Sequence, residues 1–396
     1  GMMSLARQDI TEDEPFPVHE WDSTAAGTLA ESLGYEALDR ADPLHGGFGE
    51  ESKFPSTPQL GFLIDQYRRQ PGSELKSFLE TSLDRMASQG LRDHIGGGFY
   101  RYTTDPDWQT PHFEKMLYDN AQLAVIYMDA AAALSRPDYL SIASNTLDFL
   151  QRELMTADGA LISSLSAIDD KDIEGGYYLW EEEQLQALLD EEEMNLVREW
   201  WVGATPAHFD AGHLPVLQHG LNKTGELPAE KKKVLESARK KMLAEREKNR
   251  VLPKDDKLLA GWNGLALTAF SRMAKHDGNP SYRMTAMQVA GFIQGQLWDG
   301  DQLYRARKGA DTMGRASLAD YAYVAEGFWH LYRLSGERQH LDYLQQLVSA
   351  AWSRFHTPAG WVLGGSSPVE SSGRQAILSD GPLASPSSIL LDISYR

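Results

Sequence analysis

The sequence predicts an all-α protein made of repeated helix pairs, and two features predict it. Twelve stretches carry apolar residues at helical spacing, near 24–40, 58–70, 74–89, 116–134, 138–154, 181–201, 229–248, 262–276, 280–298, 319–335, 338–355 and 386–395. After the outgoing helix of most pairs comes a glycine-bearing turn with aromatic or β-prone residues: HGGFG (45–49), HIGGGFYRY (94–102), DGALIS (158–163), DGDQLYR (299–305) and AGWVLGG (359–365). Glycine supplies the positive φ that tight hairpins need. Helix pairs that cannot hide a face alone must stack, as an open solenoid or a closed ring.

Taken in order, residues 1–22 carry Pro15, Pro17 and several acids without a clear period, and are expected to be a tail or linker. The remainder, 23–396, reads as one helical domain. Residues 203–228 hold Gly, Pro and His with little apolar period and read as an inserted loop. The stretch 230–250, KKKVLESARKKMLAEREKNR from Lys231 on, is charged on most faces and reads as an outer, solvent-facing helix.

Composition narrows the function. The chain has 396 residues, 42% hydrophobic and 24% charged, with a net charge of −19. That acidity argues against a nucleic-acid backbone or an anionic membrane as partner. There is no cysteine, hence no disulfide, thiolate metal site or thiol nucleophile. No apolar run reaches membrane-spanning length, and no apolar signal segment opens the chain, so a cytoplasmic protein is expected. HExxH and GxSxG are both missing, and neither a metal nor a cofactor is expected.

The chemistry concentrates in TPHFEKMLYDNAQLA (110–124). Pro111 suits the first turn of a helix, and a helix running by Glu114 would put Lys115 and Asp119 on one face. His112 is suited to acid/base work near neutral pH, with Glu114 or Asp119 as partner carboxylate. The alternative is a helix start at which His112 and Glu114 cap backbone groups and Asp119 pairs with Lys115. Just before it, DHIGGGFYRYTTDPDW (93–108) surrounds three glycines with His94, Tyr100, Arg101, Tyr102 and Trp108, a combination that suits sugar stacking or an ordinary aromatic hairpin. Asp256, Trp262 and Asn263 stand at a later helix start, with Asp256 beside Lys257 as a candidate ion pair. Asp320, Tyr321 and Glu326 stand at another, where an acid is also favoured by the helix dipole. His45, Lys53 and Glu174 are weaker candidates.

Five stretches together resemble a known family: GGFGEESKFP (46–55), GGGFYRYTTDPDWQTPHFEKMLYDNAQLA (96–124), EGGYYLW (174–180), DDKLLAGWNGLAL (255–267) and LADYAYVAEG (318–327). Its members join a thioredoxin-like domain to a helical barrel related to N-acylglucosamine 2-epimerases and six-hairpin glycosidases. The resemblance implies an (α/α)6 toroid, six inner helices ringed by six outer ones, with short β-hairpins in the links. The thioredoxin-like part has no counterpart here. SSLSAI (163–168) puts Ser166 and Ile168 where the family shows acids, and the chain ends at SILLDISYR where the family continues.

The expected function is a sugar epimerase or isomerase moving a proton beside a sugar carbonyl. Its expected catalytic groups are His112, Glu114, Asp119 and Asp320. The expected substrate contacts are His94, Arg101, Tyr102, Trp108, Lys115, Asn120, Asp256, Trp262, Asn263, Tyr321 and Glu326. A six-hairpin glycoside hydrolase using two carboxylates, and a non-catalytic barrel binding a carbohydrate or protein, are the alternatives. The partner is expected to be a small carbohydrate, with self-association left open.

Overall fold

The computed structural model describes residues 23–203, 207–358, 360–362 and 380–396. The predicted tail 1–22, and Ala359 and 363–365 of the last glycine turn, lie outside them. The helices are α1 (Ser23–Asp39), α2 (Thr57–Arg69), α3 (Ser73–Ser88), α4 (Leu117–Leu134), α5 (Pro137–Phe149), α6 (Glu182–Leu188), α7 (Glu191–Val197), α8 (Gly220–Gly225), α9 (Ala229–Asn249), α10 (Ala260–Asp277), α11 (Pro280–Phe292), α12 (Leu318–Ser335), α13 (Arg338–Phe355) and α14 (Pro386–Tyr395).

Helices α2, α4, α10, α12 and α14 pack side by side as the inner layer, each neighbour on the next. They run parallel. At one end Gly261 N of α10 donates to Asp320 Oδ1 of α12 at 3.2 Å, and at the other Asp129 of α4 takes Arg68 of α2 and Arg272 of α10 at 2.7 and 2.8 Å. Helices α5, α11 and α13 back the inner layer from outside. This is the (α/α)6 toroid architecture with five inner helices among the described residues, one fewer than expected. Small residues set the closest approach. A Cβ on Gly264 would stand 2.6 Å from the Tyr323 backbone, and one on Gly327 2.7 Å from Gly264 O.

The repeat extends to single hydrogen bonds. Each of three inner helices uses its fourth residue to clamp the preceding hairpin. Phe99 N donates to Asn120 Oδ1 at 2.7 Å, Leu161 N to Asn263 Oδ1 at 2.8 Å, and Leu303 N to the Tyr321 hydroxyl at 2.8 Å. Both asparagines return a bond from Nδ2 to the same hairpin residue's carbonyl, at 3.0 Å. These side chains are buried and bonded to the hairpin backbone, so Asn120, Asn263 and Tyr321 act in the frame. Helices α5 and α11 also both end in a widened π turn, Leu150–Leu154 and Ile293–Leu297.

Two local expectations are corrected. The helix does not run at Glu114: Pro111–His112 and Lys115–Met116 are strands, and α4 starts at Leu117. Lys115 and Asp119 therefore share no helix face. The stretch 181–201 is two short helices and a π turn, and α8 forms inside the expected loop. With α9 they build a second core around Trp180, Leu185, Met194, Val197, Leu235 and Met242. Helix α9 is exposed on most of its surface, but Arg246 is 2% exposed and reaches Asp93. Among the described residues no helix is long and apolar enough to cross a membrane.

Candidate functional site at the mouth of the inner helices

The N-terminal ends of the inner helices open at one mouth. Beside it lies a three-stranded antiparallel sheet drawn from distant parts of the chain, with Met116 opposite Ser164 and Ser164 opposite Asp255. A cavity of about 540 Å³ against this sheet is lined by His112, Glu114, Ser164, Ser166, Ile168 and Asp255, among others. The SSLSAI segment thus faces the cavity with Ser164, Ser166 and Ile168.

His112 sits between two carboxylates. Its Nδ1 is 3.1 Å from Glu174 Oε1, and its Nε2 is 3.9 Å from Glu114 Oε2. Arg101 Nη1 donates to the same Glu114 oxygen at 3.2 Å, while its backbone N donates to Glu114 O at 2.9 Å. The Tyr102 ring stacks between Phe54 and His112, with centroids at 4.6 and 5.2 Å. The two carboxylates, one at each ring nitrogen, hold the plane of the imidazole.

Asp119 is the third residue of α4 and is 6% exposed. Burial pushes its carboxyl well above the usual carboxylate range. Arg101 and the Tyr118 hydroxyl oppose that, and Glu114 adds to it. Its Oδ2 is buried with no hydrogen-bond partner. Asp320 occupies the same third position in α12 and behaves differently. Its Oδ2 accepts from Ser317 N and Oγ, both at 2.8 Å, closing a capping box, and its Oδ1 takes Gly261 N. Helix α4 has Met116 where α12 has Ser317, so Asp119 has no cap to make. In α2 the third residue is Gln59, whose Oε1 is likewise buried and unpartnered. In α10 it is Trp262, whose ring meets Tyr118 at 4.8 Å.

The remaining expected contacts divide by geometry. Arg101, Tyr102, His112, Glu114, Tyr118, Asp119 and Trp262 form one connected cluster. Asp320 touches it through Gly261, but as a capping residue. Trp108 is fully buried, donating Nε1 to His45 O at 2.9 Å. Lys115 is buried against Asp93 at 2.7 Å and lies over the Tyr100, Phe149 and Tyr178 rings. His94 contacts Gln89 O at 3.2 Å, and burial with Arg92 nearby pulls its pKa down to about 3. Asp256 is exposed and pairs with Lys308, while Lys257 takes Asp255 instead. Glu326 is the ninth residue of α12, ~12 Å below the mouth at 1.5 Å per residue. These five serve the frame or another face.

Gln59, Tyr118, Ser164 and Asp255 were not among the expected site residues. Asp255 is placed by strand pairing across 91 positions of sequence with Ser164, which no local pattern announces. Gln59 is announced only by its equivalence to Asp119 in the repeat. Among the described residues no group of three or more His, Asp or Glu is arranged to hold a metal ion.

No protein-family model matches the chain. It is 29% identical over a 410-residue alignment to spermatogenesis-associated protein 20 of Mus musculus, covering 90% of this chain and 50% of the relative. Against the Homo sapiens protein of that name it is 30% identical over 366 residues, covering 79% and 45%. The chain spans about half the length of these curated relatives. Among solved structures it resembles the Lin0763 protein of Listeria innocua, with TM-score 0.55, 10% identity and coverage of 94% and 79%. It also resembles an unsaturated glucuronyl hydrolase specific for heparin, with TM-score 0.51, 11% identity and coverage of 94% and 79%. At these identities the structural likeness establishes the toroid fold alone. Sequence relationship goes further: over most of its length the chain is similar to spermatogenesis-associated protein 20.

Proposed function

We propose that the mouth formed by α2, α4 and α10 binds a carbohydrate and performs acid/base chemistry on it, as a sugar epimerase or isomerase. The observation that carries this reading is the pair of unpartnered buried oxygens, Asp119 Oδ2 and Gln59 Oε1, at the same position of neighbouring inner helices. Buried polar atoms are nearly always paired, so two orphans aligned by a repeat suit a hydroxylated ligand. In this reading His112, oriented by Glu174 and Glu114, removes the proton beside the carbonyl of an open-chain sugar. Arg101 keeps donors beyond the one on Glu114 and stabilises the enolate oxygen. Asp119, kept neutral by burial, returns a proton, and Trp262 and Tyr102 stack on the apolar face of the sugar. Incubation of aldoses and ketoses in deuterated water tests it. The expected result is deuterium at the carbon beside the carbonyl. No incorporation across a broad panel by folded protein overturns it.

A second reading, glycoside hydrolysis, is favoured by one observation. Two carboxyls near the mouth are driven apart. Burial raises Asp119, whereas Lys257 holds Asp255 below the usual range against its partial burial. A neutral acid and an ionised base are what that reaction uses, and the heparin-specific hydrolase has the same architecture. Release of new reducing ends from oligosaccharides, without deuterium at carbon, distinguishes it.

A further inference from the structure

The opposite mouth carries a second pocket. Near the C-terminal ends of α10 and α12, a hollow of about 220 Å³ is lined by Ser271, Arg272, Lys275, Trp329, His330, Arg333 and Arg396. No Asp or Glu side chain lines it among the described residues, in a chain whose net charge is −19. The nearby acids are paired with two of the hollow's own arginines. Asp129 is shared by Arg272 and Arg68, and Asp392 is taken by Arg396 at 2.7 Å. Glu326 lies near Arg272 and Arg396, and burial pushes its carboxyl up to about 7.

Two cations are left over. Lys275 and Arg333 have no carboxylate within 4.0 Å among the described residues, although Arg333 lies over the Trp329 ring at 5.6 Å. Helix C-termini favour cations, which explains one such residue per helix end but not a shared hollow without Asp or Glu side chains. The deciding feature is at its floor. Ser271 is fully buried, and its Oγ has no hydrogen-bond partner. A serine facing down a helix can bond the carbonyl one turn back, and this one does not. His330, half-buried beside Arg272 and Arg396, has its pKa pulled down to about 3 by burial, so it presents a neutral ring with one N–H.

We propose that this hollow is a binding site for a tetrahedral oxyanion, a phosphate held by Lys275, Arg333 and Arg272 with Ser271 donating from the floor. Guanidinium forks match phosphate geometry, and a lysine adds a point charge. The group can be free phosphate or the phosphoryl end of a sugar phosphate. The site is ~25 Å along the inner helices from His112, so it does not depend on the reading of the N-terminal mouth.

Calorimetric titration of the full chain with inorganic phosphate, and separately with glucose 6-phosphate, tests it at constant ionic strength in chloride. Saturable phosphate binding is expected. The surface double variant Lys275→Gln/Arg333→Gln should weaken it by about tenfold or more, Ser271→Ala by several-fold, and His112→Ala not at all. Equal affinity for the two titrants assigns the site to the free anion, and tighter glucose 6-phosphate binding assigns it to a phosphoryl sugar. Phosphate heats no greater than chloride, or binding unchanged in the double variant, overturn the proposal.

Discussion

Arg246 of helix α9 closes a two-pronged ion pair on Asp93 of the glycine hairpin, Nη1 to Oδ1 at 3.2 Å and Nη2 to Oδ2 at 2.9 Å, across 153 positions of sequence. Lys115 reaches the same Oδ2 at 2.7 Å. Burial alone would raise Asp93, but the two cations override it and hold the carboxylate far below its ordinary range. The pair joins the second core to the hairpin leading into α4. The unit holds one acid and two bases, so its members are unequal. Asp93→Asn strands two buried cations, although its amide oxygen can still accept from the Ile95 and Gly96 amides. It is expected to cost ~3–5 kcal/mol. Arg246→Met leaves a balanced Asp93–Lys115 pair and is expected to cost about half as much. Urea unfolding checks the order; an equal or reversed cost refutes the charge count.

The clamps give a second test. Asn120→Ala and Asn263→Ala each leave a hairpin amide and carbonyl without their partner in a dry site. Each should destabilise by ~2–4 kcal/mol. Tyr321→Phe removes only the acceptor for Leu303 N and should cost ~1–2 kcal/mol. If the three are one repeated device, amide exchange should rise at Phe99, Leu161 and Leu303 in the respective variants and not in the others.

The clamps also mark where sequence reasoning stops. Helices α2–α5 and α10–α14 were legible because burial on one side imposes a 3.6-residue period, and the hairpins because glycine marks positive φ. Gly98, at φ 74, shows the reason sharply: a Cβ there would stand 2.4 Å from the Phe149 ring. Polar residues at helix starts were the ambiguous class. Asn120, Asn263 and Asp320 look like pocket residues in sequence, because a side chain that bonds backbone and one that bonds ligand are chemically the same. The strands at 111–116 left no trace, since two-residue strands paired with 164–165 and 102–103 have no period to show. Lys115 was misread for that reason. His112, Glu114, Arg101 and Trp262 do come together, though through a sheet rather than a helix face.

The acid/base reading makes a prediction that separates chemistry from folding. Burial favours the neutral form of Asp119, so Asp119→Asn keeps its shape and the charge state that burial favours. It should leave stability unchanged or raise it above neutral pH, while abolishing proton return. His112→Gln should lower turnover ~10²–10⁴-fold with thermal stability nearly unchanged, because the ring is one-third exposed. Measuring melting temperature and solvent-deuterium incorporation on the same samples checks both. A large stability loss in Asp119→Asn would mean that the carboxylate is ionised and structural.

Glu326 supplies a pH signature halfway along the inner helix α12. Burial is the main cause of its raised pKa, with Asp392 adding and Arg272 opposing. The unfolded value is 4.5 and the folded value about 7, so the native state holds the extra proton between them. Stability from this group is therefore full below pH 4.5 and is lost as the pH rises through 7. Glu326→Gln, which cannot ionise, should be neutral at pH 4 and stabilising by ~1–3 kcal/mol at pH 8. Urea titrations at the two pH values check it. A variant that is destabilised at pH 8 would show that the ionised carboxylate is held by Arg272 and Arg396 as a net favourable pair.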